Sequence, residues 1–281
     1  MRVSGYSPSE IRLHDIDEAI VTADIKKYLI DSLGSIIPAP DLKLLTKRAG
    51  KLFIYAATAI RYIHPADIDV DSSARLQAVL DAVTESTTQH AELDGVYKLV
   101  LSVALKHEQH EQSEIKNIQL VLWTVICAKE PISAQTLALL LGLTKKQVRI
   151  SLQPLRSILH MQEQDEAGLV SVFHASFPEF MFNYGRSGEF YCDTVEHNKE
   201  VANRCLDLMK KQLRFDVSKL ESSCVFDKGV SGVGRGKDSI PAAIGYAWRY
   251  WGNHLRQGGF TCAGRQELND YLSRQLLGLS S

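Results

Sequence analysis

His174 closes an apolar run, Leu169-Val170-Ser171-Val172-Phe173, at a point where a polar side chain needs a reason. An imidazole there can do one of two things. It can hydrogen-bond to the backbone or to Ser176 just beyond it, or it can hold an N–H donor toward an anionic ligand such as a phosphate. A second set of candidates is cationic. Pro131–Gln162 holds four basic residues, Lys145, Lys146, Arg149 and Arg156, and no acidic ones. The spacing 145, 146, 149 puts three of these cations on one helical face. Cations at the N-terminal end of such a helix could reach DNA phosphates and base edges, or they could form a solvated or interdomain face.

Three other patterns suggest chemistry and fall short of it. In Gly232-Val-Gly234-Arg-Gly236-Lys237-Asp238-Ser239 the first glycine of a phosphate-binding loop is replaced by Ser231. The residue after Lys237 is Asp238, which repels phosphate and lacks the magnesium-binding hydroxyl, so a plain loop is expected. His107-Glu108-Gln109-His110 spaces its histidines at i and i+3, whereas a zinc protease helix needs i and i+4. Ser231 lacks the second glycine of a nucleophile elbow. No metal site and no catalytic residue are expected.

Bulk properties narrow the class. The 281 residues are enough for about two domains, or one domain with a helical extension. Net charge is -1, with 32 basic and 33 acidic side chains, so attraction to nucleic acid or an anionic surface would have to be local. Cys127, Cys192, Cys205, Cys224 and Cys262 are scattered and form no C-x-x-C pair, which fits a reducing cytosol and a cytoplasmic location. The longest apolar stretches, Leu52–Ile60 and Leu120–Ala128, are nine residues each, against the about twenty a bilayer span requires.

The elements that must position these residues are mostly helical. Periodicity predicts helices at Ile25–Leu33, from Pro40-Asp41, at Leu52–Ile63 and at Ser72–Val83, with a polar linker from Thr84 to Ala91. A second block starts at Leu93 and includes a buried helix at Ile115–Ala128. Ser133 is placed to cap a short helix Ala134–Leu141, Gly142 to end it, and Thr144 to cap the next helix through Leu155. Ile158–Gln162 and Leu169–His174 have strand character around the turn QDEAG. Ser176-Phe-Pro-Glu179 then reads as a capping box. Further helices are expected at His197–Leu213, Pro241–Leu255 and Arg265–Leu277, with an irregular stretch from Arg214 to Ser239. Helix, turn, helix and a two-stranded wing over Glu130–Phe180 is the order of a winged helix.

At this level of detail the chain resembles a family. The residues that carry the resemblance are Leu13-His14-Asp15-Ile16, Asp24-Ile25-Lys-Lys-Tyr28-Leu29, Arg48-Ala49-Gly50-Lys51-Leu52-Phe53-Ile54-Tyr55-Ala56-Ala57-Thr58 and Lys129-Glu130-Pro131-Ile132-Ser133. They continue with His174-Ala175-Ser176-Phe177-Pro178-Glu179-Phe180, Phe190-Tyr191-Cys192-Asp193 and Tyr246-Ala247-Trp248-Arg249-Tyr250-Trp251-Gly252-Asn253-His254-Leu255. Together they resemble the region C-terminal to the nucleotide-binding core in fungal NACHT-type STAND NTPases, which are NLR-like signalling switches.

The resemblance implies a mainly α protein. An N-terminal remnant (1–22) would follow the NTPase core. A helical lid domain (23–91), a winged-helix domain with a small two-stranded β wing (92–190) and a C-terminal helical domain (191–281) would come after it. His174 matches the histidine that contacts the ADP β-phosphate in such switches, while Ala175 and Ser176 depart from the better-known pattern. No P-loop or magnesium-binding acidic strand precedes Leu13, so the chain is expected to be a non-catalytic regulatory and scaffold segment. It would require no cofactor by itself and would meet ADP or ATP only together with a nucleotide-binding domain, in cis or in trans. Other proteins would dock on its helical surfaces, in fungal non-self recognition or cell-death signalling. No membrane partner is expected. The rival reading is a winged-helix DNA-binding regulator that uses Lys145, Lys146 and Arg149. A third, hydrolysis through Lys237, predicts phosphate release that Lys237→Ala abolishes.

Overall fold

The first helix begins where Asp17 accepts the Ala19 amide at 2.8 Å, satisfying an N–H that a helix start otherwise leaves unpaired. The computed structural model describes residues 17–66, 68–82, 90–106, 111–161, 168–219 and 242–260, with the backbone alone for 212–219. The Leu13–Ile16 motif, the His107–His110 pair, the QDEA part of the wing turn, the Gly232–Ser239 loop and the Arg265–Leu277 helix lie outside these residues. The chain divides into two compact units, 1–99 and 100–281.

In the first unit, α1 (Glu18–Leu33) starts seven residues ahead of the expected Ile25 because the Asp17 cap extends it. It is followed by α2 (Ala39–Ala49), α3 (Phe53–Ile63), α4 (Ser72–Asp81) and the start of α5 (Ala91–Leu105). Ile25, Leu29 and Leu33 recur at four-residue spacing and are fully buried on the face of α1 that packs on α2 and α3. Gly50 (φ 52°) ends α2 in a conformation that a side chain would strain. Two guanidiniums tie the helices together. Arg48 donates to the Val79 carbonyl at 3.3 Å, and Arg75 donates to the Tyr62 carbonyl at 2.8 Å with its guanidinium over the Tyr62 ring.

The second unit contains α6 (Gln112–Cys127), then β1 (Ile132–Ser133), α7 (Ala134–Leu141), α8 (Lys145–Leu152), β2 (Leu159–Met161) and β3 (Leu169–Val172). The expected caps are present. Ser133 Oγ accepts the Thr136 amide at 3.0 Å, Thr144 Oγ1 accepts the Gln147 amide at 3.2 Å, and Gly142 leaves α7 at φ 68°. The α8 helix stops at Leu152 rather than Leu155, tightening into a single 3-10 turn around Pro154. Proline has no N–H to continue the ladder, and its ring crowds the carbonyl four residues back.

The sheet corrects the two-stranded expectation. It has three antiparallel strands in the order β1-β3-β2, with Ile132 opposite Val170 and Leu159 opposite Val172. Ile132 and Val170 are buried, and α6 packs on α8 and β3.

Beyond the sheet come α9 (Ser176–Met181), α10 (Tyr184–Ser187), α11 (Thr194–Lys219) and α12 (Ala242–Gln257). Asp193 caps α11, accepting Val195 N–H at 2.9 Å and Glu196 N–H at 3.1 Å. The helix therefore begins three residues before the predicted His197, and it runs six residues past Leu213 into the stretch expected to be irregular. Among the described residues the α11–α12 pair is the most extensive helix packing, and α7 packs on both helices. Gly258, just after α12, passes so close to Lys199 that an added Cβ would lie 2.8 Å from the Lys199 nitrogen. Among the described residues, no helix is long and apolar enough to cross a membrane.

Candidate functional site

The His174 imidazole sits just before α9 and accepts the first amide of the helix. Ser176 N–H donates to His174 Nδ1 at 3.1 Å, and the Ser176 hydroxyl lies 2.8 Å from the same nitrogen. A ring nitrogen that accepts from a backbone amide carries no proton, so the neutral ring holds its proton on Nε2. The expected Ser176–Glu179 capping box is not what forms. Ala175 occupies the cap position and Ser176 is the first helical residue; the Glu179 amide goes to the Ala175 carbonyl, and the imidazole takes the Ser176 amide. His174 is exposed, and its Nε2–H is left as the ring's spare donor.

Lys145, Lys146 and Arg149 lie within the first five positions of α8 and are all exposed, while Val148 and Leu152 on the other face are buried. The amphipathic spacing that buries those two residues is what turns the three cations outward. Among the described residues, no hydrogen bond or ion pair joins them to His174.

The densest polar chemistry lies elsewhere, where the end of α6 meets α11 and α12. Asn198 donates through Nδ2 to the Thr194 carbonyl at 2.7 Å, so its Oδ1 is the acceptor facing His254 Nδ1 at 2.7 Å. His254 Nδ1 therefore carries the proton, and Nε2 accepts from the Tyr246 hydroxyl at 2.9 Å. That hydroxyl accepts the Lys129 amide at 3.4 Å, and the Lys129 ammonium returns to Asn198 Oδ1 at 3.3 Å. The bonds close a ring through Lys129, Tyr246, His254 and Asn198. Lys129 Nζ also donates to Gln257, while the neighbouring Glu130 accepts from the Tyr250 hydroxyl at 2.8 Å and pairs with Arg249 at 2.8 Å.

Burial controls the titration of this region. His254 is fully buried, and burial, reinforced by the nearby Lys129 charge, pushes it down to about 3. Burial likewise pushes His197 down to about 4, with the Glu200 carboxylate opposing. Because Thr124 gives its hydroxyl proton to the Leu120 carbonyl, His197 Nε2 is the donor across the 3.1 Å contact to Thr124 Oγ1. Lys129 is also lowered by burial.

A cavity of about 370 Å³ opens beside the ring, lined by Cys127, Lys129, Phe182, Thr194, Asn198 and Gln257 among others. Cys127 and Cys192 are both buried. Interaction with Cys192 lowers the Cys127 thiol, and the same interaction together with burial raises Cys192 well above the ordinary range. Lys129 and Asn198 add to the lowering at Cys127. Sequence reasoning missed this cluster because its members lie up to 128 residues apart. The one local signal was a cluster of polar side chains, Arg249, Asn253 and His254, inside a helix whose apolar face must be buried. Among the described residues, no group of three or more His, Cys, Asp or Glu side chains is arranged to hold a metal ion.

No family model, no curated protein and no solved structure matches this chain.

Proposed function

We propose that the chain is the non-catalytic regulatory and scaffold part of a NACHT-type STAND signalling NTPase. In this reading residues 92–190 act as a winged helix that closes over a nucleotide held by a nucleotide-binding domain in cis or in trans. The element order α6-β1-α7-α8-β2-β3, with its three-stranded antiparallel sheet, supports that assignment. The observation that carries the function is the His174 ring. Nδ1 is committed to the start of α9, which fixes the tautomer and offers Nε2–H from an exposed position. A donor oriented in this way suits a phosphate oxygen, and the bond gains strength once domain closure removes water.

The test is release of fluorescent ADP from a NACHT nucleotide-binding domain fused upstream of this chain. His174→Ala is expected to speed release about tenfold, the size of one coupling hydrogen bond. An unchanged rate overturns the reading. The isolated chain is expected to release no phosphate from ATP.

A second reading is favoured by one observation, the outward face of Lys145, Lys146 and Arg149 at the start of α8. On this reading the chain is a winged-helix DNA-binding regulator. It requires that wild type retard a DNA duplex at low salt and that Lys145→Glu with Lys146→Glu abolish the retardation. Absence of retardation by wild type ends this alternative.

A further inference from the structure

Lys129 carries a charge that no acid answers. It lines the cavity of about 370 Å³ that is bordered by Cys127, the last residue of α6, by Thr194, the first of α11, and by Gln257, the last of α12. Its ammonium donates to two neutral carbonyl oxygens, Asn198 Oδ1 at 3.3 Å and Gln257 Oε1. An ammonium has three N–H donors, so one is left over. Among the described residues no carboxylate pairs with it. The acids next to the lining residues in sequence are engaged elsewhere. Glu130 accepts from the Tyr250 hydroxyl and pairs with Arg249, and Asp193 Oδ1 takes the Val195 and Glu196 amides.

Two more polar groups on this cavity are unspent. An ammonium can only donate, so Gln257 presents Oε1 to Lys129 and keeps its Nε2 hydrogens. Thr194 gives its carbonyl to Asn198 Nδ2, while its hydroxyl has no partner among the described residues. Asn198 is buried and bonded at both ends of its amide, which holds the lysine head in place. Ile126 and Phe182 supply an apolar wall. Among the described residues that line the cavity, Lys129 is the one charged side chain.

We propose that this cavity binds a small organic carboxylate with an apolar body. Its carboxylate meets Lys129 Nζ, with Gln257 Nε2 and Thr194 Oγ1 as supporting donors, and its body lies against Ile126 and Phe182. Hydrogen bonds from an ammonium to a carboxylate are among the strong ones. One uncompensated positive charge matches one negative charge, so a monoanion suits the site better than a phosphate dianion. The volume is that of a pocket for a small molecule. Burial works against the Lys129 charge, and an anion restores what the excluded water supplied. A ligand held by the ends of three helices also stabilises their junction, because the unfolded chain lacks the site. The site uses neither His174 nor the cations of α8.

The probe is benzoate, titrated into the folded full chain at constant ionic strength and followed by ligand-observed NMR. Benzamide serves as the neutral isostere and inorganic phosphate as the competing anion. Benzoate is expected to bind saturably with a dissociation constant of about 1 mM, the range a ligand of its size reaches with one ion pair, and to raise the melting temperature. Benzamide and phosphate are expected to bind about tenfold more weakly. Gln257→Glu is the decisive variant. It sets a carboxylate on the ammonium from within the protein, which keeps the junction tied and is expected to weaken benzoate about tenfold. Lys129→Met is expected to do the same, and Thr194→Val to weaken it about threefold through loss of one donor. The proposal is overturned if benzoate fails to saturate, if benzamide or phosphate binds as tightly as benzoate, or if Gln257→Glu binds benzoate as well as wild type does.

Discussion

Two histidines in the second unit show opposite uses of the same ring. His254 is fully buried with both nitrogens engaged, donating to Asn198 and accepting from Tyr246. His174 is exposed and has one nitrogen engaged, as acceptor from the Ser176 amide. A ring with both nitrogens satisfied inside the protein can only hold elements together. A ring with one spare donor at the surface is free to meet something else. The difference lies in placement, since His254 faces a second helix across a packed interface and His174 sits where a strand turns into a helix.

That contrast can be broken by removing each ring in turn. His254→Ala is expected to cost about 3 kcal/mol, because the Tyr246 hydroxyl and Asn198 lose partners and a void remains. Urea unfolding followed by tryptophan fluorescence measures it. A loss below 1 kcal/mol would show that the ring of bonds is dispensable, about the net worth of a single hydrogen bond.

Acid sharpens the same comparison. The folded state holds His254 at about 3 and His197 at about 4, whereas an unfolded histidine titrates near 6.5. Between those values the unfolded chain binds protons that the folded chain refuses. Stability is therefore complete above about pH 6.5 and falls as pH drops toward 4 and then 3. Each of the two histidines is expected to remove about 2 kcal/mol between pH 7 and pH 5. The groups around them are Lys129, Glu200 and Arg204. Thermal unfolding of wild type and His254→Gln at both pH values tests this, and an equal pH dependence in the two proteins would contradict it.

His174→Ala is expected to cost only about 0.5–1 kcal/mol, the worth of a helix cap. His174→Asn is expected to recover most of that, since asparagine is a good cap acceptor, while remaining unable to restore the ADP retention attributed to Nε2–H. The smallest effect belongs to Lys145→Glu with Lys146→Glu. These exposed substitutions are expected to change stability by less than about 0.5 kcal/mol, as surface changes do.

The legible parts of this fold are the ones decided over three or four residues. Ser133, Gly142 and Thr144 bound α7 and α8 where caps and a left-handed glycine demand it. The β1 strand was illegible because two residues carry no period. Ile132 and Ser133 become a strand only when Val170 and Leu169 lie alongside. The His174–Ser176 contact could be anticipated at a separation of two residues, whereas the Asn198–His254 bond spans 56 and the Lys129–Asn198 bond 69. Polar partners at such distances leave no spacing to recognise. Lys129 reads like a surface lysine until the cavity around it is known.

The close approach of Gly258 to Lys199 sets a limit on drift. His254, which accepts the Gly258 amide at 2.8 Å through its carbonyl, lies one helical turn earlier, and Asn198 is the immediate neighbour of Lys199. Gly258 thus acts as a spacer of zero thickness, fixing how far α12 sinks against α11 at the level where His254 meets Asn198. Any side chain at 258 would have to push the Lys199 backbone away, next to the residue that holds His254. A lineage could therefore replace the outer face of α12 wholesale and still be unable to change this one residue.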